Sequence, residues 1–369
     1  MKPPIYCNNN IIFRKLSVLI PVMIIQIFVW TGCFFEIYAE TGEEILKKAL
    51  STEGMLDFTG TSKTISYMKP YDFSNEANVS YRQHGMCRME YKGAGASNIV
   101  VINKDNSLLR YDRVKKIVFR TIAEVSPQNT EDKKKLLFEN YKVIQEGEEK
   151  VAGRDTYLIE VSSKYAGRPY KKLWIDKSNY AILSSKLYNP DNSLQLVTYF
   201  TSVDFNSTVP DNAFNIPPEV RIIDVSEGPK KITSIDDFSK HAGFKVLQPS
   251  WLPPGFVLDG IYTYQCQCGV EMAHIRYFDG LTSISIFEGP KKCPRCDEDF
   301  SPKTTMKTMM RGRMRMGRGC SPASCELLEQ SGENLRAFFN SGTRFIIIGT
   351  IAESELDTLR KNLEKNEGN

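Results

Sequence analysis

Six of the nine cysteines lie close together in the second half of the chain, and their spacing permits disulfide formation or metal binding. They form three pairs, Cys266 with Cys268, Cys293 with Cys296, and Cys320 with Cys325. Cysteines that come together in a fold either oxidise to disulfides or, as thiolates, bind a metal ion such as Zn²⁺. The compartment in which the protein works decides which outcome is favoured.

The first 39 residues have the pattern of an export signal. Leu16 to Phe35 is a run of 20 residues without a charged side chain, and three basic residues precede it, Lys2, Arg14 and Lys15. A basic start, an apolar stretch and a small residue at Ala39 predict cleavage just after that alanine. An uncleaved membrane anchor and lipidation at Cys33 remain as alternatives. We therefore predict a signal peptide or membrane anchor at 1–39, with the rest of the chain outside the cytoplasm.

Export favours disulfides among the six clustered cysteines, because secreted compartments are oxidising. Structural zinc on Cys266, Cys268, Cys293, Cys296, Cys320 and Cys325 is the alternative, since Cys293-x₂-Cys296 has the spacing of a zinc knuckle. A third possibility is that the thiols stay reduced. Cys87 stands apart from the cluster and is interpreted as a small apolar side chain on a strand. We expect no cofactor if the cysteines form disulfides.

A segment from Lys303 to Arg318 combines six basic residues with five methionines and contains no acidic residue. This composition suits an anionic lipid surface, an acidic peptide or Cu(I), and equally a solvated loop. Its place between the last two cysteine pairs makes it part of an insert at 289–326.

No catalytic motif is present. The chain lacks a nucleophile elbow, a zinc-protease motif and a phosphate-binding loop, and it has three histidines, His84, His241 and His274. We therefore predict no enzyme activity and no catalytic, cofactor-binding or metal-binding residues. A net charge of +4 over 369 residues, with 25% charged residues, also argues against a nucleic-acid partner.

Residues 40–220 are predicted to form a first domain. Thr41 and Glu44 make a capping box for an opening helix, and the pattern then changes to that of strands. The predicted strands lie at 60–68, 79–90, 98–103, 116–121, 156–162, 171–176, 181–188 and 194–205. The last strand is apolar on both alternations, with Leu194, Leu196 and Phe200 on one side and Val197, Tyr199 and Val203 on the other. Short strands joined by tight turns predict an antiparallel sheet, and an apolar second face requires a cover or a ligand.

A linker at 221–231 is predicted to lead into a second domain at 232–366. A helix at 235–241, a strand with a proline-rich loop at 244–256, and strands at 257–264, 271–278, 282–288 and 344–350 are predicted there. Asp279-Gly280 is a hairpin signal between two of these strands. Leu356, Leu359 and Leu363 form the stripe of a final helix.

Two groups of residues resemble the MucB/RseB family. In the first domain these are Val151 to Tyr157, Leu173 to Asp176, Lys186 to Tyr188 and Val209 to Phe214. In the second domain they are His274 to Glu288, with a "Y-x-D-G-L" hairpin at 277–281. The resemblance implies an α+β fold, in which a strongly curved antiparallel sheet with helices (a LolA-like half-barrel) precedes a smaller α+β antiparallel domain.

The resemblance also implies a function in the periplasm. Members of this family bind the periplasmic part of a transmembrane anti-sigma factor and respond to an apolar envelope signal, which controls an envelope-stress sigma factor. A periplasmic lipid or lipoprotein carrier of LolA type is the first alternative, and a zinc-stabilised exported structural module is the second. The expected partners are therefore an anti-sigma factor and, for a carrier, a lipid or lipoprotein close to the membrane.

Overall fold

The computed structural model describes residues 40–68, 71–93, 98–105, 107–122, 130–225, 230–265, 270–290 and 335–365. The described residues from Thr41 onward belong to one compact unit. Within the described ranges no helix has the length and apolar character needed to cross a membrane. The export segment, the six clustered cysteines and the methionine-rich segment lie outside the described residues.

Within the described part of the chain, twelve strands form the larger sheet. They are β1 (Phe58–Met68), β2 (Tyr71–Arg82), β3 (Met86–Lys92), β4 (Ile99–Lys104), β5 (Ser107–Asp112), β6 (Ile117–Ile122), β7 (Tyr141–Val151), β8 (Arg154–Ser163), β9 (Tyr170–Asp176), β10 (Ile182–Tyr188), β11 (Leu194–Asp204) and β12 (Arg221–Asp224). Their order is β12-β6-β5-β4-β3-β2-β1-β11-β10-β9-β8-β7. Neighbours are antiparallel except that β12 joins β6 in parallel. Helices α1 (Gly42–Thr52) and α2 (Thr130–Asn140) belong to this part of the chain.

Five strands of the described ranges form the smaller sheet, in the order β13-β14-β15-β17-β16. They are β13 (Val257–Gln265), β14 (Glu271–Phe278), β15 (Ser283–Pro290), β16 (Leu335–Asn340) and β17 (Thr343–Gly349). Helices α3 (Ile235–Ala242) and α4 (Glu353–Lys365) accompany it. The predicted stripe of Leu356, Leu359 and Leu363 is fully buried against one side of this sheet.

The larger sheet is strongly curled. β7 and β11 approach each other although three strands lie between them, whereas in a flat sheet they would be about 19 Å apart. Helix α1 lies within the curl and contacts β7 and β9. We call the side of the sheet that faces α1, and carries Ile159 and Leu173, the inner side.

The fold class predicted from the sequence is confirmed, because a curved antiparallel sheet with few helices precedes a smaller antiparallel sheet. The capping box is also confirmed: the Thr41 hydroxyl accepts from the Glu44 N–H, and the Glu44 carboxylate accepts from the Thr41 N–H at 2.8 Å. This hydrogen bond lowers the pKa of Glu44.

Some predicted elements were wrong. Residues 79–90 are two strands, because His84 and Gly85 both adopt positive φ and reverse the chain between β2 and β3. Arg221–Asp224, which the sequence placed in the linker, forms β12 by pairing with β6. Residues 244–256 contain no strand, although Phe244, Val246 and Phe256 are buried in the second core.

Candidate binding site

Residues that lie directly opposite each other on paired strands share one side of a sheet, so the register defines the inner side throughout. One continuous row runs across five strands as Ile159, Leu173, Ser185, Thr198 and Thr64. The inner side over β7–β10 can therefore be followed without interruption onto β11, β1, β2 and β3.

Helix α1 closes one part of the inner side. Ile45, Leu46 and Ala49 of α1 are at most 2% exposed and pack against Ile159 and Leu173. These three residues form the hydrophobic stripe of α1. Burial of each large aliphatic side chain stabilises the folded state by about 1.5–3 kcal/mol. This part of the inner side is a closed hydrophobic core.

The rest of the inner side keeps exposed apolar surface. We call eight of its side chains the apolar patch: Phe58, Phe73, Tyr81, Met89, Tyr91, Leu187, Leu196 and Phe200. Phe73 is 53% exposed and the other seven are half-buried. Phe58 links the strands by stacking on Tyr81 at 5.1 Å and meeting the Phe200 ring edge-on at 5.6 Å.

Small side chains separate the two ends of the apolar patch. Ser62, Thr64, Ser185 and Thr198 are half-buried on the inner side between them. The hydroxyls of Thr64 and Thr198 hydrogen-bond to each other at 3.2 Å, so their polarity is satisfied across the strands. These short side chains fill less space above the sheet than the aromatic and aliphatic side chains on either side of them.

A β-bulge alters one sequence prediction about β11. The pairing with β1 shifts between Thr61 and Ser62, so Val203 lies opposite Gly60 and Phe200 lies opposite Ser62. Phe200 and Val203 are consequently on the same side, whereas the sequence placed them on opposite sides. The extra residue of a bulge reverses the alternation beyond it. Gly60 permits the bulge, because a Cβ there would lie 2.5 Å from the Ser202 carbonyl oxygen.

The inner side is joined to the second sheet by the turn between β14 and β15. The Tyr141 hydroxyl, at the start of β7, donates to the Asp279 carboxylate at 2.7 Å. Leu281, from the same turn, packs against the α1 core. Asn140 donates to the carbonyl oxygens of Gly255 and Asp279 at 2.9 and 2.8 Å. The turn of the second sheet therefore contacts the core on which α1 rests.

A buried ion pair adds to this connection. Arg168 is bonded to both carboxylate oxygens of Glu355, at 2.6 and 2.9 Å, and its side chain is 1% exposed. Its guanidinium also lies 5.0 Å from the centre of the Phe256 ring. Burial raises the pKa of Glu355, and the charge of Arg168 opposes that effect. A desolvated pair of this kind fixes geometry more than it adds stability.

The three histidines lie on different elements and form no joint site. His84 is in the β2–β3 turn and His241 is 79% exposed near the end of α3. His274 stacks on Phe287 at 4.2 Å, and burial lowers its pKa to about 4. Among the described residues no three His, Cys, Asp or Glu side chains are arranged to hold a metal ion. Cys87 is a free thiol whose pKa burial raises to about 11.

The sequence predicts the 279–281 hairpin, but it predicts neither the contact of this hairpin with Tyr141 nor a place for Lys171 on the inner side. Lys171 and Lys172 are adjacent and identical in type, so only the register shows which of them lies on the inner side of β9. Strand alternation was the available signal, but the sequence alone does not say which side is the inner one.

These features define a two-sheet α+β protein with a partly open, apolar inner side. Residues 95–218, a third of the chain, match the family model described as the MucB/RseB N-terminal domain. The resemblance to MucB/RseB that the sequence predicted is thereby confirmed.

Solved structures share this fold. The complex structure of Pseudomonas aeruginosa MucA/MucB contains a chain with a TM-score of 0.54 and 16% identity, over 86% of this chain and 96% of that one. A crystal structure of MucB in complex with MucA(peri) matches with a TM-score of 0.54, at 15% identity over the same shares.

One curated relative also matches. The uncharacterized protein MJ0687 of Methanocaldococcus jannaschii is 27% identical over 118 residues, which is 32% of this chain. The chain spans about a third of the length of that relative.

Proposed function

We propose that this protein is a periplasmic regulatory binding protein. In this proposal it binds the periplasmic part of a transmembrane anti-sigma factor and thereby controls an envelope-stress sigma factor. An apolar envelope signal that occupies the inner side of the larger sheet releases that partner. The protein acts by binding and catalyses no reaction.

The observation that carries this proposal is the contact between the two sheets. An apolar ligand on the patch would lie beside the α1 core, which contains Tyr141 and receives Leu281 from the second sheet. A ligand and a partner are coupled when they favour different arrangements of one shared element. The β14–β15 turn is such an element, because it contacts the inner-side core and belongs to the second sheet.

The comparisons support a protein partner. The MucB chains that share this fold are from complexes with MucA, in one case with the part called MucA(peri). The predicted signal peptide or anchor supports the periplasmic location. The family resemblance implies an anti-sigma factor as the partner. The periplasmic part of such a factor is consistent with both a protein partner and a periplasmic location.

The experiment measures binding of the mature chain to an immobilised peptide. The peptide is the extracytoplasmic segment of the single-span membrane protein encoded beside a sigma factor in the same genome. We expect saturable binding that 1-dodecanol, a neutral apolar probe, weakens about tenfold, which corresponds to a coupling of about 1.4 kcal/mol.

The matched variants are Leu281→Ala and Leu108→Ala. Leu281 packs on the inner-side core, whereas Leu108 is 39% exposed on β5. We expect the effect of dodecanol to fall in Leu281→Ala and to persist in Leu108→Ala. No binding of the segment would reject the regulatory function, and a protein purified with tightly bound lipid would then favour a carrier of LolA type.

A further inference from the structure

Lys171 places a cationic side chain on the inner side of β9. It lies opposite Val161 of β8 and Leu187 of β10. Val161 belongs to the α1 core and Leu187 to the apolar patch. Among the described residues, no hydrogen bond or ion pair involves Lys171. Glu53, at the end of α1, acts on it electrostatically without reaching it as an ion pair.

The surroundings of Lys171 are costly for an unpaired charge. It is half-buried, and burial lowers its pKa. An ammonium group held among apolar side chains without a counter-ion is destabilising, and proteins usually pair such a group. Unpaired ionisable groups in apolar concavities are therefore candidates for ligand contacts.

The neighbouring residue provides an internal comparison. Lys172 points to the outer side of β9, where it pairs with Glu146 at 2.6 Å and Glu160 at 3.5 Å. These hydrogen bonds raise the pKa of Lys172. The two adjacent lysines therefore differ in their ion pairs. Lys172, on the outer side, has two carboxylate partners, whereas Lys171, on the inner side, has none within the described part of the chain.

We propose that the apolar patch binds the chain of a long-chain fatty acid and that Lys171 pairs with its carboxylate. This inference rests on the proposed function, because it names the chemical class of the apolar signal. Leu187 and Leu196 follow Lys171 across the sheet at strand spacings of about 5 and 10 Å. An acyl chain that starts at the ammonium group would therefore run directly onto the patch.

The charge balance favours a carboxylate over other headgroups. On the inner side of β1–β3 and β9–β11, the described residues include no cation besides Lys171. One ammonium group neutralises one carboxylate, whereas a phosphate dianion would keep an uncompensated charge in apolar surroundings. A neutral alcohol would leave Lys171 unpaired, so the site should discriminate between two ligands with the same chain.

The experiment uses the mature chain and a neutral fluorescent probe, N-phenyl-1-naphthylamine. Dodecanoate, 1-dodecanol and dodecyl phosphate are compared as competitors, the two anions below their micellar concentrations and the alcohol below its solubility limit. We expect dodecanoate to displace the probe at a concentration about tenfold lower than dodecanol, as a charge-assisted hydrogen bond predicts.

Three variants test the assignment of Lys171. Lys171→Met should remove the preference for dodecanoate over dodecanol, and Lys171→Arg should retain it. Lys172→Met is the matched control on the outer side and should also retain it. Retention of the preference in Lys171→Met would overturn the proposal, as would displacement by dodecyl phosphate at a lower concentration than dodecanoate.

Two further results separate this inference from the proposed function. Equal displacement by dodecanoate and dodecanol in the unmodified chain would reject the role of Lys171 and leave an apolar site intact. Failure of the probe and of all three competitors to bind would reject both the fatty-acid site and the apolar-signal part of the proposed function.

Discussion

The hydroxyl of Tyr141, on the larger sheet, donates a 2.7 Å hydrogen bond to the carboxylate of Asp279, in the β14–β15 turn of the smaller sheet. The ring of Tyr141 is 2% exposed within the core that α1 covers. Asp279 also accepts from the N–H groups of Leu281 and Thr282 at 3.0 and 2.7 Å, which fixes the β14–β15 turn. One hydrogen bond thus joins the inner side of the larger sheet to a turn of the smaller one.

Tyr141→Phe tests this connection. The substitution leaves the ring in place and removes one donor from a buried carboxylate, so we expect a loss of about 1.5–3 kcal/mol in the free energy of unfolding. Burial and the charge of Asp279 raise the pKa of Tyr141, so the donor is present throughout the neutral range. Denaturant unfolding measures the loss. Tyr67→Phe, at a 40% exposed position, is the control and should change the free energy by less than about 0.5 kcal/mol.

Gly280→Ala tests how closely the turn approaches α2. Gly280 has φ of 107°, and a Cβ there would lie 2.5 Å from the Cα of Leu137. Gly342 also has positive φ, at 83°, but a Cβ added there would meet no atom within 4 Å. We expect Gly342→Ala to lower the free energy of unfolding by about 1 kcal/mol, from backbone strain alone. Gly280→Ala should lower it by at least about 2 kcal/mol more, because the added Cβ also clashes with α2. Equal thermal shifts in the two variants would contradict the close approach.

Because the pKa of Glu288 is raised, we expect the free energy of unfolding to fall between pH 6.5 and 8. Its side chain is buried, one carboxyl oxygen accepts from the Leu247 N–H at 2.9 Å, and the other has no partner among the described residues. Burial raises the pKa of Glu288 from 4.5 to about 8. In this range the folded state holds a proton that the unfolded state has lost, so stability falls as the pH rises. The expected fall is about 1–2 kcal/mol.

His274 titrates below this pH range. Its pKa is lowered to about 4, so its contribution to stability increases as the pH rises from 4 towards 6.5 and changes little above that. Glu288→Gln should remove most of the fall between pH 6.5 and 8. Glu139→Gln, at a side chain that is 55% exposed, should retain it. An unchanged pH profile in Glu288→Gln would show that another group is responsible.

If the clustered cysteines form disulfides, the number of cysteines that an alkylating reagent modifies should differ before and after reduction. We propose that the six cysteines from Cys266 to Cys325 form disulfides in the exported protein. Alkylation of the denatured mature chain without reductant should then modify Cys87 alone, and six further cysteines should react after reduction. Stoichiometric zinc together with seven reactive thiols before reduction would establish the zinc alternative. Native Cys87 should react slowly, because burial raises its pKa to about 11.

The sequence by itself determined the local structure where residues close in the chain supply the hydrogen-bond partners. The capping box of Thr41 and Glu44 and the Asp279-Gly280 turn are satisfied within three or four residues, so a local pattern predicts them. The leucine stripe of α4 was predicted for a similar reason, because helical periodicity identifies the buried face. The resemblance to MucB/RseB then supplied the curved sheet that no local pattern specifies.

The tertiary structure alone decided which side of each strand is the inner one. Lys171 and Lys172 are indistinguishable in the sequence, and Phe200 and Val203 share a side because a bulge opposite Thr61 and Ser62 shifts the register. The contact of Tyr141 with Asp279 joins residues 138 positions apart. Register, bulges and distant contacts depend on pairing between remote strands, and that pairing is a property of the whole sheet.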